Sequence, residues 1–342
     1  MKTGTDLDAP STGIDLQQEV AEGIAFRPVR LGGTAYPAIR LAKPPAVEQW
    51  LSELRMARSM ANLEKLAGML DCCTMCPRLC AVNRNAGQAG YCGIAARARV
   101  ASAGPHFGEE PVLTGTGGSG TIFFAGCNLH CIYCQNYDIS RNLQGVDVGT
   151  ERLAEMMLRL AADGAVNINL VSPSHLAAQI APALVIARDN GMTLPVIYNT
   201  GGYDSIETLK ALEGLIDVYM PDMKYADPVV STDLSDAPDY PQINQAAVRE
   251  MHRQVGDLTI RNGLATGGLL VRHLVLPNRL SQCEQIMDFL ADEISVHTAV
   301  NVMAQYRPCY QAVRCPPIMR RPTSKEVAEA VSCAKKRGLR LL

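Results

Sequence analysis

No apolar run in this 342-residue chain approaches the roughly 20 residues needed to span a bilayer, so no membrane partner is expected. The first residues, Met1 to Pro10, carry Lys2, Asp6 and Asp8 and no continuous apolar segment. They do not resemble a secretory signal peptide, and the expected location is cytoplasmic. Net charge is scarce too: a formal value of -2 argues against a broad nucleic-acid-binding surface, though not against a local basic patch. The glycine-rich segment 115–120 lacks the Gly-Lys-Ser/Thr that would make it a phosphate loop, and reads as a tight approach to a strand. No internal repeat or coiled coil is visible. Hydrophobic residues at 47% and charged residues at 19% describe an ordinary globular chain, long enough for one large domain or a domain with a companion.

Cysteine is what the chain has in excess. Eight of the twelve lie between Cys72 and Cys134, while Cys283, Cys309, Cys315 and Cys333 are dispersed. Such density suits disulfides in a small secreted scaffold, but in a long chain without an export signal thiolate ligands explain the grouping better.

Residues 1–45, rich in Gly and Pro, read as a leader or wrap. Residues 46–114 read as a helical and cysteine-rich metal-binding extension, with a helix over Leu51 to Leu70. From 115 to 342, short β-rich runs alternate with helical patterns. The expected strands are Thr121–Ala125, Val166–Val171, Pro195–Asn199, Asp217–Met220, Val271–Leu276 and Ala299–Ala304. The expected helices are Glu151–Ala162, Ser174–Asp189, Ser205–Leu215, Gln245–Val255 and Leu280–Ile294. A capping box, Thr323-Ser324-Lys325-Glu326, opens a last helix through Lys336. This alternation predicts an α/β fold with a parallel sheet: a partial (β/α)6 barrel, or a doubly wound sheet as the alternative.

The decisive segment is Gly126-Cys127-Asn128-Leu129-His130-Cys131-Ile132-Tyr133-Cys134. Three cysteines spaced Cys-x3-Cys-x2-Cys at a strand exit can hold three corners of an iron–sulfur cubane and leave one iron open. Zinc with an exogenous ligand fits this context less well. The segment resembles the signature of the radical S-adenosylmethionine superfamily. The resemblance implies a partial barrel, a [4Fe–4S] cluster on Cys127, Cys131 and Cys134, and reductive cleavage of S-adenosylmethionine to methionine and a 5′-deoxyadenosyl radical. It places Tyr133 beside the adenine. His130 is not a required ligand and reads as a packing histidine.

The same family contacts the methionine amino group through a Gly-Gly-Glu motif, which this chain lacks; Asn169, Ser172 and His175 are the candidate substitutes, or simple caps. Asn199 and Thr200, before Gly201-Gly202, are placed to meet the ribose or a cation. Asp222 and Lys224, two apart on an extended segment, point the same way and resemble the matching segment of pyruvate formate-lyase activating enzymes. Arg272 and His273 cannot both face one side of a strand, and His273 is expected to face inward.

Cys73, Cys76, Cys80 and Cys92 supply four further thiolates, with Cys72 as a competitor for Cys73. They suit a second [4Fe–4S] cluster or a structural zinc ion, in a closed site that is structural or relays electrons. With Gly108-Glu109-Glu110-Pro111 and Gln305-Tyr306-Arg307-Pro308, this segment resembles a branch related to the pyruvate formate-lyase activating proteins. The cysteine-rich insertion that some glycyl-radical activators carry after the central motif is absent. Cys309 and Cys315 read as packing or surface thiols rather than residues of the catalytic mouth.

The resemblance implies an enzyme that takes one electron from a reduced flavodoxin or ferredoxin-type donor and abstracts hydrogen from a substrate. A partner protein is the leading substrate and a small metabolite the alternative. A nonenzymatic iron–sulfur sensor or electron-transfer protein is the reading from another class.

Overall fold

The computed structural model of the protein describes residues 27–31, 34–38 and 60–342. The chain divides into two compact units, Met1–Ser59 and Met60–Leu342. Within the first, strands β1 (Arg27–Leu31) and β2 (Thr34–Ala38) form an antiparallel pair in which Leu31 opposes Thr34. The rest of the expected wrap over 1–45 lies outside the described residues. So does the first part of the helix expected over Leu51 to Leu70; residues 60–68 of it are helical.

The second unit is a mixed α/β body around a ten-stranded sheet. Six parallel strands lie side by side in chain order: β4 (Ser119–Phe124), β6 (Ile168–Val171), β7 (Val196–Thr200), β8 (Val218–Pro221), β10 (Leu264–Leu274) and β11 (Ala299–Met303). Each overlaps one of the expected strands. These short runs are largely apolar because both faces are covered, with Asn169, Arg272 and Asn301 among the polar exceptions. β12 (Arg340–Leu341) adds to β11, while β3 (Ala98–His106) runs antiparallel to β4 and pairs with β5 (Val146–Val148). β10 starts seven residues earlier than expected because Asn262 and Gly263, both at positive φ, turn β9 (Thr259–Arg261) back onto it.

Helices cover one face. Thr150–Ala162 buries Leu153, Ala154, Met157 and Leu160, one stripe of an amphipathic helix. The capping box forms as expected, with the Thr323 and Glu326 side chains each taking the other's backbone N–H. Alternation along the strands sends Tyr198, Tyr219 and Val271 to the helix side. Ile197, Val218, Met220, Leu270 and Ala299 go to the other face, where they pack against Leu113 of the short helix Pro111–Thr114. Among the described residues, no helix is long and apolar enough to cross a membrane.

Candidate active site

A cavity of about 420 Å³ opens at the C-terminal ends of all six parallel strands, where Phe124, Val171, Thr200, Asp222, Leu274 and Met303 line it. Cys127, Cys131 and Cys134 line the same space. The carboxyl edge of a parallel sheet is where such folds place ligands. A larger cavity, about 520 Å³, lies among Leu276, Gln282, Cys283, Glu326, Cys333 and Arg337. It contains none of the clustered thiols, and chemistry rather than size selects between the two.

The cysteine loop follows β4 through Gly126, at φ +80, where a Cβ would lie 2.6 Å from the Cys92 carbonyl oxygen. Only glycine fits there. The His130 and Ile132 N–H groups donate to the Ser235 and Leu234 carbonyls, pinning the loop to the end of the helix Pro228–Ser235. The Ser235 hydroxyl donates to Cys131 Sγ at 3.0 Å, so Tyr225 donates to Ser235 (2.8 Å) and Tyr133 to Tyr225 in turn. Ser140 Oγ lies 3.2 Å from Cys134 Sγ. Burial pushes the Cys127 thiol up to about 12, with Cys131 and Cys134 adding to the shift. Burial likewise raises Cys131. Three soft thiolates this close are stable together only around a strongly positive centre, which is the demand an iron–sulfur cluster meets. Among the described residues, no three His, Cys, Asp or Glu side chains converge closely enough to hold a single metal ion.

The other expected residues divide. Tyr133, Ser172, Asn199, Thr200, Asp222 and Lys224 line the cavity. Tyr133 presents its ring, since its hydroxyl is held by Tyr225. The Thr200 hydroxyl donates to Asp204 (2.7 Å) and meets Ser174 (2.8 Å) and the Gly202 N–H (3.1 Å), which leaves it no capacity for a ribose. Lys224 is paired with Asp222; burial alone would lower its pKa, but the carboxylate outweighs burial and holds it well above the usual value. The Asp222 backbone is fixed in turn, its carbonyl accepting from Tyr240 Oη (3.0 Å) and Asn244 Nδ2 (2.9 Å).

Three expected residues lie off the cavity. His175 is buried with Nε2 on the Ala125 carbonyl at 3.0 Å, while its own carbonyl accepts from Arg84; burial lowers it to about 3, so it is a neutral tie between loops. Asn169, fully buried, donates to Glu109 from beneath the cavity. His273 is the reverse of the expectation: Arg272 lines the cavity, and His273 turns to the other face, Nδ1 donating to the Met223 carbonyl at 2.8 Å. The register of β10 decides this, because adjacent strand residues diverge. Cys309 and Cys315 do not line the cavity.

Arg272 also exposes a part of the site the residue types alone do not assign. Its Nε and Nη2 make a bidentate pair with Glu110 (2.9 and 2.6 Å), and Nη2 also contacts Glu109. Asn301 donates to Glu110 at 2.6 Å. The cavity floor is thus an ion cluster of one guanidinium and two carboxylates, with Glu109 on the open side. The Gly-Glu-Glu-Pro run in the sequence was the available signal.

The leading cysteines also gather. Cys73, Cys76 and Cys92 are buried and Cys80 is partly exposed. Ala81 N–H donates to the Cys73 carbonyl and Leu79 N–H to that of Cys76, both at 3.1 Å. Tyr91 N–H donates to Cys80 Sγ at 3.3 Å, which brings Cys92 alongside. Burial pushes Cys76 up to about 12, opposed by the Arg78 N–H and reinforced by the other three thiols.

Fold and site together define an α/β protein with a three-cysteine loop at the carboxyl edge of its parallel strands. No family model matches the chain. Over 280 residues it is 32% identical to the uncharacterized protein MJ0674 of Methanocaldococcus jannaschii, covering 79% of this chain and 76% of that one. The chain belongs to the family of that protein. Protein MJ0808 of the same organism is 25% identical over 204 residues, 58% of this chain and 55% of its own length. Among solved structures, a radical SAM methyltransferase from Sphaerobacter thermophilus aligns with a TM-score of 0.45 at 13% identity, covering 65% of each chain. Streptococcus suis SuiB, bound to precursor peptide SuiA, aligns with a TM-score of 0.42 at 9% identity, covering 63% of this chain and 46% of that one. The chain spans less than two thirds of the length of either solved structure.

Proposed function

We propose that this protein is a radical S-adenosylmethionine enzyme. The observation that carries the reading is the opening of Cys127, Cys131 and Cys134 into one cavity with Asn199, Asp222 and Lys224 at the carboxyl ends of the strands. Six parallel strands lie in chain order; crossovers of the right hand usual for such connections would put their helices on one face and favour a sheet curled as a partial (β/α)6 barrel.

In this reading Cys127, Cys131 and Cys134 would hold a [4Fe–4S] cluster, which when bound would supply the electron for reductive cleavage of S-adenosylmethionine to methionine and a 5′-deoxyadenosyl radical. Ser235 and Ser140 hold hydrogen bonds to Cys131 and Cys134 and steady their charge. Lys224, fixed by Asp222, meets the carboxylate end of the cosubstrate, and Ser172 and Asn199 offer polar contacts beside it. Tyr133 gives a ring face to the adenine. Phe124, Leu274 and Met303 keep water from the reacting carbon.

The cavity of about 420 Å³ would take the cosubstrate, and a hydrogen donor would enter it from the mouth. A residue on a partner protein, as in glycyl-radical activation, is the substrate this reading puts first, with a small metabolite as the alternative. The test is electron paramagnetic resonance of the anaerobically reconstituted, reduced protein. S-adenosylmethionine is expected to change the signal of the central cluster; an unchanged signal overturns the reading.

A further inference from the structure

The leading and central cysteine nests touch through residues that directly adjoin their thiolates. Tyr91, next to Cys92, stacks on His130, next to Cys131, with ring centroids 3.6 Å apart and planes 19° from parallel. Arg78, between Cys76 and Cys80, donates from Nε to the carbonyl of Asn128, between Cys127 and Cys131, at 2.8 Å. Its guanidinium also lies 3.8 Å over the Tyr91 ring. The third contact is Gly126, beside Cys127, against the Cys92 carbonyl.

From these contacts we infer that Cys73, Cys76, Cys80 and Cys92 hold a second [4Fe–4S] cluster, and that it passes electrons to the central site through the Tyr91–His130 stack. The inference rests on the central reading given above. One observation favours a cluster over zinc. The four thiols are drawn together by the hydrogen bonds around Cys73, Cys76 and Cys80, and their nest meets the central one through the Tyr91–His130 stack and the Arg78–Asn128 hydrogen bond, a junction that a redox-active centre can use and a zinc ion cannot. Four ligands also leave no iron open, so this site binds no cosubstrate and carries charge only.

The route from Cys92 to Cys131 is one residue step, one ring-to-ring contact and one residue step. Electrons tunnel far better through bonds and packed rings than across gaps. The Arg78 cation between two anionic sites offsets the charge added to either on reduction. One electron leaves a reduced flavodoxin or ferredoxin-type protein, which is oxidised by one. It occupies the leading site and then moves to the central one. The leading site returns to its oxidised state and no bond or proton changes.

The test uses the reconstituted full chain, Cys76→Ser, and Tyr91→Leu, which removes the ring and keeps every cysteine. Metal and sulfide analysis is expected to give two clusters' worth of iron without zinc in the parent and in Tyr91→Leu, and half that iron in Cys76→Ser. Freeze-quenched resonance spectra then follow reduction of the central cluster by reduced flavodoxin. The reduction is expected to slow by about tenfold or more in both variants, a barrier of about 1.4 kcal/mol. One equivalent of zinc in the parent overturns the inference, as does an unchanged reduction rate in Tyr91→Leu. If S-adenosylmethionine leaves the central signal unchanged while two clusters are present, the proposed function fails instead, and the metal count and transfer rate still judge the relay.

Discussion

Arg272 reaches from β10 to Glu110, 162 residues earlier in the chain, and closes a bidentate pair beneath the cysteine-lined cavity. Asn301 completes the Glu110 shell and Asn169 that of Glu109. The pairing sets the floor of the cavity and ties the segment before β4 to the far side of the sheet.

Replacing Arg272 with Met leaves two carboxylates buried without their cation. Arg272→Met is expected to lose about 3–5 kcal/mol in denaturant unfolding, and Arg272→Lys less, since charge survives but the fork does not. A loss below about 1 kcal/mol in the Met variant would show the cluster to be solvated rather than buried.

Gly202 has φ +78, and a Cβ there would stand 2.1 Å from the Asp222 carbonyl oxygen and 2.2 Å from Asn244 Nδ2. Gly202→Ala must push away the segment carrying Asp222 and Lys224. Calorimetry is expected to show weaker S-adenosylmethionine binding, alongside a stability loss of about 2 kcal/mol or more.

Ser235 is the residue through which a buried hydroxyl chain reaches the Cys131 sulfur. Hydrogen bonds to ligand sulfurs raise the potential of an iron–sulfur centre, so Ser235→Ala is expected to lower the central potential by on the order of tens of millivolts. Potentiometric titration reads this, and an unchanged value would separate the serine from the cluster.

His273 is fully buried, and burial lowers it to about 4 from an ordinary 6.5, with Met223 and Asp222 opposing. A depressed histidine binds its proton more tightly when unfolded. Its contribution to stability is therefore complete above about pH 6.5 and is lost as pH falls toward 4. Between about pH 7 and pH 4 the apoprotein should lose about 1–3 kcal/mol from this group. His273→Phe is expected to flatten that part of the profile, and parallel profiles would remove the titration from His273.

The sequence made the central thiols legible because their spacing is local, and the six strands legible because doubly covered strands read as apolar runs. It was weaker wherever a side chain's role depends on distant partners. Strand alternation separates Arg272 from His273, but which one faces the cavity follows from the register of β10 and from Glu110, far away in sequence. Thr200 looked free until the turn folded Asp204 back onto its hydroxyl. His175 stood among polar residues at a strand end, yet its contacts are with Ala125 and Arg84. The helix Pro228–Ser235, which supplies Ser235, is short and has no marked apolar period, so it is absent from the helices expected from the sequence.

The central claim is that Cys127, Cys131 and Cys134 start radical chemistry on S-adenosylmethionine. Its most direct test is chromatography of the reconstituted, dithionite-reduced protein after incubation with S-adenosylmethionine. The account predicts methionine and 5′-deoxyadenosine from the parent and neither from Cys127→Ser, Cys131→Ser or Cys134→Ser. A fully reconstituted and reduced parent that forms no 5′-deoxyadenosine would contradict it.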